Sequence, residues 1–378
     1  MSEPRDDGPE NLLTDVKDSG SPARTDGKRK RRIRLRYVAL GMFLLLIGGE
    51  IGARVLADRN SRFNMGIGGS FEWDPHRRVR WQKNYRSPTF HTNARGFPGD
   101  DFDAKKPPNT YRIFCLGDSC TVAPSSYNYP VALQKALNAA MPDRHIEVIN
   151  AGCPGYDSFQ VRTWYVEEID GYEHDMVVIY VGWNDMGQYN PDGLVYKRDA
   201  SGYLKNPTLI ERALLSSYLL RSVYFVTGLL ESRGDVLMDP PTGEDAKKYD
   251  EFHPTHFEKN LTEVITLAKS RGRRVYVCSY AGIVVPDPTP DEKARIHFPR
   301  GMGKSLPKYL KLLESYKAAL RNVAAATDTP IIDLADGFKD AESRKCFTDS
   351  CHFNPEGSDR IAAQIAPVIS KDIAVFFR

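Results

Sequence analysis

Two short polar segments, far apart in the sequence, carry residue types that could perform nucleophilic chemistry. Ser119 ends a Gly-Asp-Ser triplet that directly follows an apolar run typical of a buried strand. Near the other end of the chain, Asp349 stands three positions before His352. A serine hydroxyl is a poor nucleophile until a base takes its proton, and a carboxylate at this spacing can orient a histidine base. The two segments together predict a hydrolytic triad, whereas each alone would indicate a helix cap or a surface histidine.

Two further segments supply candidate hydrogen-bond donors for a developing negative charge. Gly152 and Asn184 each lie just after an apolar run. The carboxyl ends of parallel strands meet at one edge of a sheet, where ligands bind in open α/β proteins. Glycine lets a backbone N–H approach a ligand closely, and asparagine offers N–H donors without a charge. A turn glycine and a turn asparagine are the structural alternatives, and Asp118 and Asp185 are interpreted as residues that hold their turns.

In this order, Ser119, Gly152, Asn184 and His352 resemble the four signature blocks of the SGNH (GDSL-type) hydrolase superfamily. The resemblance implies an ester hydrolase in which Ser119 is the nucleophile, His352 the general base and Asp349 the group that orients the base. It also implies an oxyanion hole built from the backbone N–H groups of Ser119 and Gly152 and the side-chain amide of Asn184.

The resemblance extends over roughly residues 90–378. An Asn-x-x-Gly-Phe element at 93–97 is similar to one that precedes the serine block in many membrane-anchored bacterial members. Two departures from the family pattern are Cys120 and the Ala123-Pro124 pair. Neither replaces a catalytic residue, but both lie where they would alter the acyl side of the site.

Composition and charge are those of a globular protein without a nucleic-acid partner. The chain has 378 residues, 41% hydrophobic and 27% charged, and a formal net charge of +3. Such a small basic excess does not predict nucleic-acid binding. The sequence contains neither His-x-x-x-His nor Cys-x-x-Cys spacing and no glycine-rich phosphate loop. We therefore expect neither a metal nor another cofactor.

Apolar runs and helical periodicities alternate along the core of the chain, which predicts a parallel sheet covered on both faces. We expect an α/β fold, a three-layer α/β/α sandwich with a five-stranded, mainly parallel, flavodoxin-like sheet, plus an N-terminal transmembrane helix. The predicted strands are 112–116, 146–151, 176–181, 274–279 and 330–333. The predicted helices lie near 127–141, 158–170, 254–270 and 307–326, with a last one after Pro355.

The chain divides by composition into four parts. We expect a disordered basic cytoplasmic tail, a transmembrane signal anchor, a juxtamembrane segment that packs on the catalytic domain, and a hydrolase domain with two insertions. The first insertion is interpreted as an extra core helix or a lid, and the second as a loop that shapes the substrate site. The parts are 1–36, 37–57, 58–110 and 111–378, with insertions at about 187–252 and 281–305.

The proposed anchor follows seven cations within residues 28–36. Residues 37–57 would form a helix of about 31 Å, which matches a hydrocarbon core of about 30 Å. Glu50 and Arg54 are four residues apart and can pair on one face. The pattern predicts an uncleaved anchor with the N-terminus in the cytoplasm and the catalytic domain on the periplasmic or extracellular side. A signal peptide cleaved after residues 55–57 is the alternative.

Six cysteines raise the question of disulfides in an exported domain. Bridges between Cys346 and Cys351 and between Cys120 and Cys153 would brace the predicted site, and free buried thiols are the alternative for each pair. Sequence alone gives no connectivity. The remaining two, Cys115 and Cys278, lie in predicted strands and are interpreted as core residues.

The family resemblance and the outward placement together suggest the substrate. We expect cleavage of an O-acetyl ester on a cell-surface or secreted carbohydrate. A lipid ester or lysophospholipid is the second substrate class. The same acyl-enzyme could instead pass its acetyl group to an exopolysaccharide, which would make the protein an O-acetyltransferase. A non-catalytic, membrane-tethered glycan-binding scaffold is the hypothesis from another class.

Overall fold

The computed structural model describes residues 23–59, 70–74, 76–122, 127–187, 216–220, 223, 252–299 and 304–377. The chain divides into two compact units, Met1–Gly52 and Ala53–Arg378. The first insertion predicted at 187–252 and the Ala123-Pro124 pair lie almost entirely outside the described residues.

The first unit contributes most of a long helix, α1 (Ala23–Arg59). Its segment Arg34–Val55 is long and apolar enough to cross a membrane, a test that a signal sequence also passes. Residues 23–36, which belong to the tail expected to be disordered, lie in this helix. Lysine and arginine are good helix formers, so a helix nucleated in the apolar segment can propagate back through them.

Five parallel strands form the central sheet of the second unit, in the order β4-β3-β5-β6-β7. This is the flavodoxin-like order, in which the chain reverses direction across the sheet between its first and third strands. The α/β prediction is confirmed. The strands are β3 (Thr110–Gly117), β4 (His145–Gly152), β5 (Met176–Tyr180), β6 (Arg274–Cys278) and β7 (Ile331–Ile332).

Two central strands, β3 and β5, are buried along their whole length. Continuous apolar strands are typical of a parallel sheet covered by helices on both faces. The helices are α2 (Ser119–Val122), α3 (Tyr129–Ala140), α4 (Ser158–Glu167), α5 (Trp183–Gly187), α6 (Thr255–Ser270), α7 (Pro290–Arg295), α8 (Leu306–Ala326) and α9 (Pro355–Phe376). Helix α3 packs against α9, whereas α6 packs against both α4 and α8.

The segment before β3 packs on the edge of the sheet that carries the loop after β4. It contains an antiparallel pair, β1 (Phe71–Asp74) and β2 (Arg78–Trp81). The Trp81 indole N–H donates to the Gly152 carbonyl at 2.8 Å, and Phe97 is fully buried. This segment therefore helps to fix a loop that the sequence assigns to the site.

The described part of the second insertion, residues 281–299, contains α7 and lies against the loop that carries His352. The guanidinium of Arg344 donates to the buried Glu292 carboxylate at 2.8 Å. The Ser350 hydroxyl accepts from the His297 backbone N–H at 2.7 Å. The insertion thus supports the histidine loop, a role that the sequence did not predict.

Candidate active site

The candidate donors and the nucleophile lie at the ends of three neighbouring strands. Ser119 opens α2 directly after β3, Gly152 is the last residue of β4, and Asn184 lies in α5 just after β5. Strand β3 pairs with both of the others. In this topology the crevice beside the central strands is where ligands bind. The fold therefore brings the first three sequence blocks to one place.

The turn that presents Ser119 is tight and held by Asp118. The Asp118 carboxylate accepts from the Cys120 backbone N–H at 2.8 Å, and its carbonyl accepts from Thr121 and Val122. A side chain at residue 117 would place its Cβ 2.3 Å from the Tyr180 carbonyl, so the turn requires glycine there. Among the described residues, no acceptor takes the Ser119 backbone N–H, which leaves this donor for a ligand.

His352 lies in a narrow hairpin loop between a 3₁₀ turn (Ser343–Cys346) and α9. The His352 carbonyl accepts from the Thr348 N–H at 2.7 Å, which closes the hairpin. The Asp349 carboxylate accepts from the backbone N–H groups of Cys351 and His352, each at 3.0 Å. Asp349 therefore shapes the loop as well as facing the imidazole.

The three predicted triad residues form one hydrogen-bonded series. The Ser119 Oγ lies 2.6 Å from His352 Nε2, and His352 Nδ1 lies 2.7 Å from Asp349 Oδ2. With the proton on Nδ1, the imidazole donates to the carboxylate and accepts from the serine hydroxyl. The His352 side chain is 39% exposed, so the reacting edge is open to a substrate.

The titration behaviour of the pair follows from these contacts. The hydrogen bond to Asp349, followed by the contact with Cys351, raises the pKa of His352 to about 11, against the opposing effect of burial. Burial alone would raise the pKa of Asp349, but hydrogen bonds from the His352 ring and from two backbone N–H groups hold it well below its usual range. Asp349 is therefore ionised wherever the fold persists at ordinary pH.

The second and third oxyanion candidates have partners within the protein. One N–H of the Asn184 amide donates to the Tyr156 carbonyl at 3.0 Å, which fixes the amide and leaves its second N–H for a ligand. The buried Gly152 N–H donates to the Asn150 side-chain oxygen at 2.9 Å. Gly155, with φ of +77°, is the exposed glycine of the same loop. No sequence signal pointed to Gly155 or Tyr156, because their roles depend on how the loop closes.

Asp185, beside Asn184, anchors α5 rather than facing the triad. Its carboxylate accepts from the Ser158 backbone N–H at 2.8 Å and from the Ser158 hydroxyl at 2.5 Å. The amide of Asn260 donates to the same hydroxyl at 3.0 Å. The network ties the Asn184 turn to the start of α4 and to α6, as expected for a structural carboxylate.

Asp118 is fully buried, and among the described residues its Oδ2 has no hydrogen-bond partner. Burial, partly offset by the Cys120 N–H, raises the pKa of Asp118 from 3.8 to about 6. As pH rises, the unfolded chain loses this proton first, so the folded state loses stability between pH 4 and pH 6. Asp118→Asn removes that loss. The unfolding free energy of Asp118→Asn, relative to that of the parent, should therefore increase by up to about 3 kcal/mol between pH 4 and pH 6.

Urea denaturation of both proteins at several pH values checks this prediction. A difference in unfolding free energy that stays constant from pH 4 to pH 7 would show that Asp118 titrates normally.

All six cysteines are free thiols, which answers the question that the sequence left open. The Cys346 thiol donates to the Ser343 carbonyl at 3.1 Å. Cys153 is buried on the side of its loop that faces Tyr156. In the described part of the chain, one group could bring three metal-binding atoms together. It comprises Cys120, Cys351 and His352, whose ligand atoms all lie within 4.8 Å of one another.

Comparisons with known proteins point to one family. The sequence matches the profile described as GDSL-like lipase/acylhydrolase over residues 115–360. Similar solved structures include a lipase/acylhydrolase from Enterococcus faecalis (18% identity, TM-score 0.40, covering 69% of this chain and 96% of that chain). An acetylxylan esterase from Geobacillus stearothermophilus has 15% identity and a TM-score of 0.41, with coverage of 68% and 94%. A comparison with curated proteins gives no match.

Proposed function

The chain belongs to the GDSL-like lipase/acylhydrolase family, and from this premise we propose that it cleaves carboxylic esters through a Ser119 acyl-enzyme. Membership makes the protein an ester-bond hydrolase. The observation that carries the residue assignment is the hydrogen-bonded series from Ser119 through His352 to Asp349. Nucleophile, base and orienting group are all within hydrogen-bond reach, as this chemistry requires.

In the acylation step, the Ser119 Oγ attacks the ester carbonyl while His352 Nε2 takes the hydroxyl proton. Asp349 holds the opposite ring nitrogen and stabilises the imidazolium that forms. Collapse of the tetrahedral intermediate breaks the bond to the alcohol, which leaves with the proton from His352. A water molecule then attacks the acyl-serine, His352 again acts as base, and the carboxylic acid is released.

The negative charge of the intermediate needs donors that are already in position. We assign the Ser119 backbone N–H and the outer N–H of the Asn184 amide to this role. Gly152, proposed from the sequence, would first have to release the Asn150 oxygen. The exposed Gly155, next to the Tyr156 carbonyl that holds Asn184, is the alternative donor from the same loop.

Replacement of Asn184 by alanine should lower kcat by about 10²–10³, with a smaller effect on KM, because the donor acts mainly on the transition state. Steady-state kinetics on a chromogenic acetyl ester measure both constants. Asn322→Ala, at an exposed position in α8, is the matched control and should leave kcat unchanged. An Asn184→Ala enzyme with the parent's kcat would remove this side chain from the mechanism.

For the substrate, we propose an O-acetyl ester on a cell-surface or secreted carbohydrate. The proposal rests on the family and on the outward-facing, membrane-anchored placement that we propose below for the catalytic unit. The test is release of acetate from acetylated xylan oligosaccharides, compared with p-nitrophenyl esters of increasing chain length and with lysophospholipid. A kcat/KM that falls steeply beyond acetyl supports the proposal. A preference for long acyl chains would point to a lipid esterase, and transfer to an added glycan would point to an acetyltransferase.

We also propose that residues Arg34–Val55 anchor the protein in a membrane with the catalytic unit outside. Five cations at residues 28–32 precede this segment, and Arg34 and Arg36 lie at its start, which together favour that orientation. Protease treatment of intact cells and of lysed cells, with an antibody to the C-terminus, tests it. Digestion from outside without lysis supports the orientation. A C-terminus that is digested only after the cytoplasmic membrane is lysed would reverse the proposed orientation.

A further inference from the structure

Two buried cysteines face each other directly behind the triad. Cys120 follows the nucleophile and Cys351 precedes the histidine, and 231 positions separate them in the sequence. The Cys120 thiol donates to the Cys351 carbonyl at 3.4 Å, and the two sulfur atoms lie within 4.8 Å of each other. Cys120 is 2% exposed and Cys351 is 8% exposed. The pair therefore joins the nucleophile turn to the histidine loop at the base of the site.

The other four thiols are placed differently. Cys115 and Cys278 lie in β3 and β6, which are separated by β5. Cys346 bonds to the Ser343 carbonyl, and Cys153 faces Tyr156. Cys120 and Cys351 are therefore the two thiols that are placed to react with each other.

A metal site made from the same atoms is less well supported. The cluster adds only His352 to the two thiols, and both ring nitrogens are already engaged, one by Ser119 and one by Asp349. Without the imidazole, two sulfur ligands remain, whereas protein zinc sites have three or four ligands. The arrangement favours chemistry between the sulfurs themselves.

We propose that Cys120 and Cys351 are a redox pair that closes to a disulfide and so links the nucleophile turn to the histidine loop. The oxidant is hydrogen peroxide, a molecule small enough to reach a buried pair. Cys351 sulfur attacks one peroxide oxygen and breaks the O–O bond, giving a sulfenic acid and water. The Cys120 sulfur then attacks the Cys351 sulfur, and the sulfenic oxygen leaves as a second water with the Cys120 proton.

The local environment suits Cys351 for the first step. The contact with the Cys120 thiol lowers the pKa of Cys351; burial opposes this effect, and the contact with His352 adds to it. Thiolates are the reactive form. Closure requires the two sulfur atoms, now at most 4.8 Å apart, to approach to about 2 Å. The bridge would enclose more than half of the chain and stabilise the fold by restricting the unfolded state.

The experiment uses the full chain in detergent, fully reduced, freed of reductant and then treated with hydrogen peroxide. Thiols are counted under denaturing conditions, and peptides are mapped without reduction. We expect the count to fall by two from six, with one linked peptide pair that contains residues 120 and 351. The melting temperature should rise by about 5–10 °C and return on reduction.

Cys120→Ser and Cys351→Ser should each abolish the linked peptide, whereas Cys346→Ser, a cysteine of the same loop region, should retain it. Six remaining thiols, a linked peptide with another cysteine, or an unchanged melting temperature would overturn the proposal. Mapping of the parent protein does not depend on any variant folding. The readouts need no ester substrate, so failure here is separate from failure of the proposed function.

Discussion

Replacement of Ser119 by alanine should reduce kcat for p-nitrophenyl acetate by about 10⁴–10⁶, while the protein stays folded. The variant removes the attacking oxygen, and no other described hydroxyl hydrogen-bonds to His352 Nε2. The turn itself is held by Asp118 and Gly117 rather than by the serine side chain. Loss of activity should therefore come without loss of stability. Steady-state kinetics together with a melting curve measure the two effects.

Ser315→Ala is the matched control for this variant. Ser315 is a partly buried serine of α8 whose hydroxyl bonds within its own helix. It should keep the activity of the parent enzyme. A Ser119→Ala protein that retains activity within tenfold of the parent would show that another residue is the nucleophile.

Replacement of Asp349 by asparagine should lower kcat by about 10⁴, because the amide no longer selects the imidazole tautomer or stabilises imidazolium. The same change should shift the pH profile. The Asp349 carboxylate raises the pKa of His352, and the base acts only when neutral, so activity of the parent should rise with pH into the alkaline range. Without the carboxylate this pKa falls, and the residual activity should reach its plateau at lower pH.

A profile of kcat/KM against pH for both enzymes checks the second prediction. Asp336→Asn, at an exposed surface pair with Lys339, is the control and should leave the profile in place. A shift of the Asp349→Asn profile to higher pH would contradict the assigned role. A profile that does not move would show that a group other than His352 controls the rate.

The strands and the candidate site residues that follow them could be predicted from the sequence because each is marked by a local pattern. Continuous apolar runs marked β3 and β5, which are buried along their whole length. The short polar segments after them marked Ser119 and Asn184. In a parallel sheet these segments meet at one edge, so their positions after strands in the sequence implied that they lie close together in the fold.

The remaining features depend on packing that no local pattern encodes. The two cysteines nearest the triad, Cys120 and Cys351, are free thiols whose sulfur atoms lie within 4.8 Å of each other, whereas sequence proximity suggested Cys346 as the neighbour of Cys351. Support of the histidine loop by Glu292 required an insertion to fold back onto it. In each case the partner is set by tertiary structure.

The most direct measurement of the central claim is the mass of the protein after incubation with a fluorophosphonate, followed by peptide mapping. We expect a single adduct located on Ser119, absent from Ser119→Ala and strongly slowed in His352→Ala. An adduct on a different residue, or no adduct on a protein that turns over the ester, would contradict a Ser119 acyl-enzyme.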